Sequence, residues 1–220
     1  MRKKSLEKIN TENIKGVILD LDDTLYSYEK CHIYALEQTF LKYLTISKKK
    51  LAQNSFEKRY RESRNKITER LKNTGSCRSR LLAFQMLLEK EKNESAPKNS
   101  LILENCYWKS FISKMTPDKE IKEFLKKLKK QNIKTCILSD MTMEIQVRKL
   151  QKLGMSNLFD YMVTSEEVGK EKPELLNFNT ALKKLDLRNG EVMMIGDSLS
   201  KDGFGAKKAN IKFHYYRAKA

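Results

Sequence analysis

Short apolar runs that stop at carboxylates or small polar residues punctuate this chain. Val17-Ile18-Leu19 runs into Asp20-Leu21-Asp22-Asp23-Thr24, Cys136-Ile137-Leu138 into Ser139-Asp140, and Val192-Met193-Met194-Ile195 into Gly196-Asp197-Ser198. Tyr161-Met162-Val163 is a further run of the same kind. Runs this short, bounded by turn residues, read as buried strands. From residue 116 onward, helical periodicity fills the gaps between them. Thr116-Pro117 offers an N-cap and a first helical residue to a stretch in which Ile121, Phe124, Leu125 and Leu128 share a face. A helix over 143–153 stops at Gly154 in a left-handed cap, and a second covers 173–185. A third, over 202–209, ends at Asn210, which tolerates the same conformation, and residues 211–215 close the pattern as a strand. Such alternation implies an α/β fold: a parallel sheet covered by helices on both faces.

Residues 26–115 depart from the alternation. Ile33, Leu36, Phe40 and Tyr43 recur at helical spacing, as do Leu81, Phe84 and Leu88. Breaks fall near 45–47, at Asn73-Thr74-Gly75-Ser76, and across 93–99 with Pro97, which divides the stretch into about four helices and no strand. An all-helical insertion after the first strand is expected. Basic residues collect there: over 48–80 the chain carries 12 lysines and arginines against 3 acids, within a net charge of +17. Such a stretch suits an anionic partner such as nucleic acid, but its ordinary reading is a solvated helical surface.

With 220 residues, there is room for one sizeable domain carrying an insertion. Charged residues at 33% and hydrophobic ones at 40% suit a folded chain rather than a disordered one. No apolar run approaches the ~18 residues of a membrane span, and the basic N-terminus MRKKSLEKINTENIK lacks the apolar middle of a secretory signal. Cys31, Cys77, Cys106 and Cys136 are widely spaced, which favours reduced thiols in a cytoplasmic protein over disulfides or a zinc site. His32 and His214 are too few and too far apart for a histidine-based metal site.

The polar clusters carry the functional signal. In open parallel sheets, ligands bind at the carboxyl ends of strands, and Asp20, Asp22, Asp23, Thr24, Ser139, Asp140 and Asp197 all follow strands. Asp202 lies five residues beyond Asp197, and Lys172 precedes Pro173 at a helix start. Ionised carboxylates are costly to bury without partners, so a cation, a shared proton, or both should accompany them.

These clusters resemble, in order, the four motifs of the haloacid dehalogenase-like hydrolases: VILDLDDT, then ILSD, then Lys172 in KEKP, then IGDSLSKD. The resemblance covers the chain after its first dozen residues. It implies a Rossmann-like sheet of order 5-4-1-2-3, with residues 1–25 and 116–220 as the catalytic core and 26–115 as a C1-type helical cap. It further implies a magnesium-dependent phosphomonoester hydrolase with Asp20 as nucleophile. Magnesium would be bound by the Asp20 carboxylate, the backbone carbonyl of Asp22 and the Asp197 carboxylate, an oxygen-rich set of the kind this ion prefers. Asp22, two residues after Asp20, projects to the same side of an extended chain and can serve as general acid and base. Ser139 and Lys172 would hold the phosphoryl oxygens and supply fixed positive charge. Thr24 would shape the loop, and Asp202 would steady a metal-bound water or Lys172. No catalytic role transfers to Asp23, which is expected to be exposed or bonded within its loop. Tyr26 and Tyr28 are candidates for a gate or for hinge packing.

Asp22 also separates branches of the family. A halide needs no acid on leaving, whereas an alkoxide does, so a second aspartate favours phosphoryl transfer over dehalogenation. A phosphomutase, a phosphonate hydrolase with a cap lysine, or a basic nucleic-acid-binding protein on the same scaffold are the alternatives. The expected partner is a small phosphorylated metabolite, such as a nucleotide or a sugar phosphate, rather than nucleic acid or membrane.

Overall fold

The computed structural model describes residues 6, 9–48, 51–72 and 74–219. Arg2, Lys3 and Lys4 of the basic N-terminus, Lys49 and Lys50 of the basic stretch, and Asn73 of one expected break lie outside the described residues. The chain forms two compact units, one comprising Met1–Tyr28 with Met115–Ala220 and the other Glu29–Lys114.

The first unit is built on five parallel strands: β1 (Gly16–Leu19), β2 (Lys134–Ser139), β3 (Tyr161–Thr164), β4 (Val192–Gly196) and β5 (Lys212–Tyr215). Their order is β3-β2-β1-β4-β5, the expected 5-4-1-2-3 order read from the other edge. β1 is central, with Ile18 opposite Cys136 on one side and Met194 on the other. Every residue of β1 is buried, which explains an unbroken apolar run in place of alternation. On one face, Ile18, Cys136, Leu138, Val163 and Met194 pack with Phe178, Ala181 and Leu185.

Helices connect these strands. α1 (Tyr28–Ile46), α2 (Gln53–Arg70), α3 (Arg80–Lys90) and α4 (Ala96–Lys114) precede α5 (Lys119–Lys130), α6 (Met143–Leu153), α7 (Ser165–Val168), α8 (Leu175–Leu185) and α9 (Phe204–Lys208). α5 starts later than Thr116-Pro117 implied, because the Asp118 side chain caps it by accepting from the Ile121 N–H. α8 likewise begins beyond Pro173 with Glu174 as its N-cap. The helix expected over 202–209 is a π-turn over Leu199–Gly203 that passes into α9. Gly154 (φ 62°) and Asn210 (φ 54°) adopt the left-handed conformation expected of them.

The second unit is helical, with a 3₁₀ turn at Gly75–Arg78 and no strand among its described residues. Its core is aromatic: Tyr60 stacks on Phe84 at 4.8 Å, and Tyr107 packs against Trp108 and Phe111. Phe40, Tyr43, Phe84 and Leu88 are buried as their spacing implied, but Ile33 is 52% exposed. The buried face of α1 runs instead through Cys31, Ala35, Leu36, Thr39, Phe40 and Tyr43. None of the described helices is long and apolar enough to cross a membrane.

Candidate active site

β1 delivers Asp20 to the carboxyl end of the sheet. The Asp20 N–H donates to the Ile195 carbonyl at 2.9 Å, which extends the ladder one residue past the strand and fixes where the side chain emerges. The chain then turns at once, with the Leu25 N–H donating to the Leu21 carbonyl at 2.9 Å. Thr24 is buried in this turn, and its hydroxyl donates to Asp20 Oδ2 at 3.2 Å. Asp23 holds the turn in a left-handed conformation (φ 61°), and its Oδ1 accepts from the Tyr28 N–H at 3.0 Å. Loop bonding, as expected, accounts for Asp23.

β4 delivers Asp197 one strand away. Gly196 precedes it, and a Cβ there would overlap the Asp202 carboxylate, so glycine is what lets Asp202 approach the strand end. Asp202 itself is buried, and its Oδ2 accepts from the Ser198 N–H at 3.1 Å. Asp20, Asp197 and Asp202 each bring one oxygen within 4.8 Å of the others.

Lys172 enters from the segment between α7 and α8, buried to 4% exposure. Its Nζ donates to Asp20 Oδ1 at 2.6 Å, to Asp202 Oδ1 at 2.7 Å and to the Leu138 carbonyl at 2.9 Å. Asp140 fixes the segment by accepting from the Lys172 N–H at 2.8 Å and from Lys201 Nζ at 2.6 Å. Ser139 ends β2 buried, and its Oγ accepts from Gln146 Nε2.

The electrostatics follow from this crowding. Burial opposes the charge on Lys172, but Asp20, Asp202 and Asp140 outweigh it and hold the ammonium well above its usual range. Burial pushes Asp20 up to about 8, with Lys172 pulling the other way and Asp202 and Asp22 adding to the push. Asp197 is pushed up to about 6, by burial first and then by Asp23 and Asp202. One buried ammonium among three carboxylates leaves an excess of negative charge. An all-oxygen donor set with that excess fits a small hard cation such as magnesium.

The Asp22 carboxylate lies outside that cluster of three. It receives Lys149 Nζ on both oxygens, at 2.7 Å and 3.0 Å, and the Tyr26 hydroxyl on Oδ1. Tyr26 is therefore a buried partner of Asp22. Lys149, Gln146 and Lys201 escaped the sequence reading. A signal for the first two was present: on α6, Ile145, Gln146, Lys149, Leu150 and Leu153 form the buried face. A glutamine and a lysine three residues apart on an otherwise apolar stripe call for buried partners.

A family model described as haloacid dehalogenase-like hydrolase matches residues 17–215. The chain belongs to this family. It is 32% identical over 197 residues to ribulose-1,5-bisphosphate 5-phosphatase of Halopiger xanaduensis, covering 90% of this chain and 82% of that one. It is 29% identical over 198 residues to glyceraldehyde 3-phosphate phosphatase of Methanopyrus kandleri, with the same coverage of 90% and 82%. Among solved structures, 2-haloacid dehalogenase from Pseudomonas syringae pv. Tomato superposes with a TM-score of 0.74 at 20% identity, over 92% of this chain and 86% of that one. At that identity the likeness is one of fold. The chain is thus a hydrolase of the haloacid dehalogenase-like family, and the two curated relatives named here are phosphatases.

Proposed function

We propose that this hydrolase is a magnesium-dependent phosphomonoesterase that acts on a small sugar phosphate through an aspartyl-phosphate on Asp20. The observation that carries the reading is the convergence of Asp20, Asp197 and Asp202 around Lys172 at the ends of adjacent strands. The phosphatase relatives, one named for a sugar bisphosphate and one for a triose phosphate, support the substrate class. Asp20, Asp197 and the backbone carbonyl of Asp22 would hold magnesium, which would offset the repulsion between a carboxylate and a phosphate dianion.

In the first half of the reaction an Asp20 oxygen bonds to phosphorus while the bond to the leaving oxygen breaks. Asp22 gives that oxygen its proton. In the second half Asp22 takes a proton from water, which attacks phosphorus and releases Asp20 as a carboxylate. Lys172 already donates to Asp20, so its charge lies beside the reacting carboxylate in both halves. The Ser139 hydroxyl, steadied by Gln146, would donate to a phosphoryl oxygen. Thr24 keeps Asp20 aimed through its hydroxyl, and Asp202 holds Lys172. Residues 26–115 serve in this reading as the cap that excludes water and selects the leaving group.

The test is a screen of phosphorylated metabolites with magnesium, with a chelator control, on wild type and Asp20→Asn. Turnover of sugar phosphates that is lost with chelator and reduced roughly 10⁴-fold or more in the variant is expected. Beryllofluoride should attach to Asp20 in the wild type alone. Substantial activity in Asp20→Asn would rule out the covalent route.

A further inference from the structure

We propose that Lys149 is a positioning residue that sets the orientation of Asp22 for proton transfer, an inference that rests on the phosphatase reading above. Lys149 projects from the buried face of α6 with its side chain only 1% exposed, whereas the side chain of Asp22 is 29% exposed. The cation is therefore enclosed and the carboxylate opens outward. A single nitrogen reaching both oxygens, at 2.7 Å and 3.0 Å, fixes the direction in which the carboxylate points. The Tyr26 hydroxyl on Oδ1 fixes its rotation. The two partners differ in sequence distance: Tyr26 lies four residues on, in the turn after β1, and Lys149 lies on a helix 127 residues away.

Stability gives no reason for this lysine. Replacing a buried ion pair with apolar side chains is often neutral or stabilising, and the neighbours of Lys149 on this face, Ile145, Leu150 and Leu153, are apolar. Orientation does give a reason. A proton moves efficiently only when donor and acceptor lie within hydrogen-bond reach in the right direction. A carboxylate on a turn at the edge of a site has rotational freedom that a tether to a rigid helix removes. Lys149 donates hydrogen bonds throughout and gives up no proton. The proton that reaches the leaving oxygen comes from Asp22 and is restored from the attacking water.

The experiment compares an alkyl and an aryl phosphate monoester on wild type, Lys149→Met, Tyr26→Phe, Asp22→Asn and the double variant Asp22→Asn/Lys149→Met. A wild type inactive on both esters and on every sugar phosphate overturns the phosphatase reading, and this inference falls with it. With an active wild type, Lys149→Met should lower kcat on the alkyl ester roughly 10- to 100-fold, the range typical of partners that orient a reacting group. Its kcat on the aryl ester, whose leaving group scarcely needs a proton, and KM for both should change little. Tyr26→Phe should show the same selectivity at smaller size, which keeps the test available if Lys149→Met folds poorly. The double variant should be no slower than Asp22→Asn alone, because Lys149 acts through Asp22. Equal losses on the two esters in both single variants, or additive losses in the double variant, would overturn the inference while leaving the phosphatase reading intact.

Discussion

Each unit of this molecule buries a network of charge, and the two networks are balanced differently. In the helical unit the Glu91 side chain is 2% exposed and accepts from Arg59 at 3.1 Å and from the Tyr43 hydroxyl at 2.6 Å. One acid meets one base, and a hydroxyl takes a remaining lone pair. Arg80, also buried there, lies over the rings of Tyr107 and Trp108 at 4.9 Å and 4.8 Å. In the core unit, Lys172 faces Asp20 and Asp202, with Asp197 within reach of both acids. In the first arrangement, the pairing on Glu91 neutralises itself. The second keeps an excess of acid, which is useful only where a cation or a proton comes and goes. Buried charge alone does not mark a site; unbalanced buried charge at strand ends does. The same comparison lowers the weight of the basic stretch over 48–80, since Arg59, Arg64 and Arg80 have partners within their own unit.

The largest effect that would break this contrast lies in the core. Asp22→Ala should slow hydrolysis of alkyl phosphates by roughly 10²–10⁴-fold while costing less on aryl phosphates. Rates on a leaving-group series would check it. A flat series would remove Asp22 from the role of acid.

Opposite effects on stability should follow when one acid is removed from each network. Glu91→Ala strips Arg59 and the Tyr43 hydroxyl of their acceptor, and should destabilise the protein by about 1–3 kcal/mol with kcat nearly unchanged. Asp197→Asn should instead raise the melting temperature of the metal-free protein while abolishing its response to magnesium. Thermal melts in chelator, paired with activity in magnesium, would read both. A destabilised Asp197→Asn would mean that the core network is as balanced as the helical one.

The smallest effects are in pH dependence, where the two units should again differ in sign. Asp197 is raised from 3.8 to about 6 by burial, Asp23 and Asp202. The folded, metal-free protein thus holds its proton more tightly than the unfolded chain, and stability is lost as pH rises from about 4 to 6. His32 in the helical unit is lowered from 6.5 to about 4, by burial first and then by Arg80, Arg64 and Arg61. The unfolded chain binds that proton more tightly, so stability is lost as pH falls from about 6.5 to 4. Melting temperatures at pH 4.5 and 7 should show Asp197→Asn and His32→Gln each removing a slope, in opposite directions. A shared sign would contradict the placement of one of the two groups.

The strand ends were legible because their signal is local. An apolar run followed by carboxylates is a statement about consecutive residues, and the alternation of such runs with helices was enough to imply a parallel sheet with Asp20, Ser139 and Asp197 at strand ends, while the strand order came with the family resemblance. The left-handed caps at Gly154 and Asn210 were legible for the same reason. Helix starts were less so: Thr116 and Asp118 are both good caps, and the choice of Asp118 reflects its further bond from the Tyr216 hydroxyl, 98 residues away. Ile33 reads as core by spacing, yet α1 buries the stripe through Ala35 and Thr39, because periodicity gives the width of a face and packing decides its direction. The sequence by itself picked out the candidate site carboxylates Asp20, Asp22 and Asp197, since they follow strands in a local pattern. Only the tertiary structure decided which partners hold them. Lys149 on Asp22 and Gln146 on Ser139 are pairings made by the docking of α6 against the sheet, and pairings between separate elements obey distance in space rather than spacing along the chain.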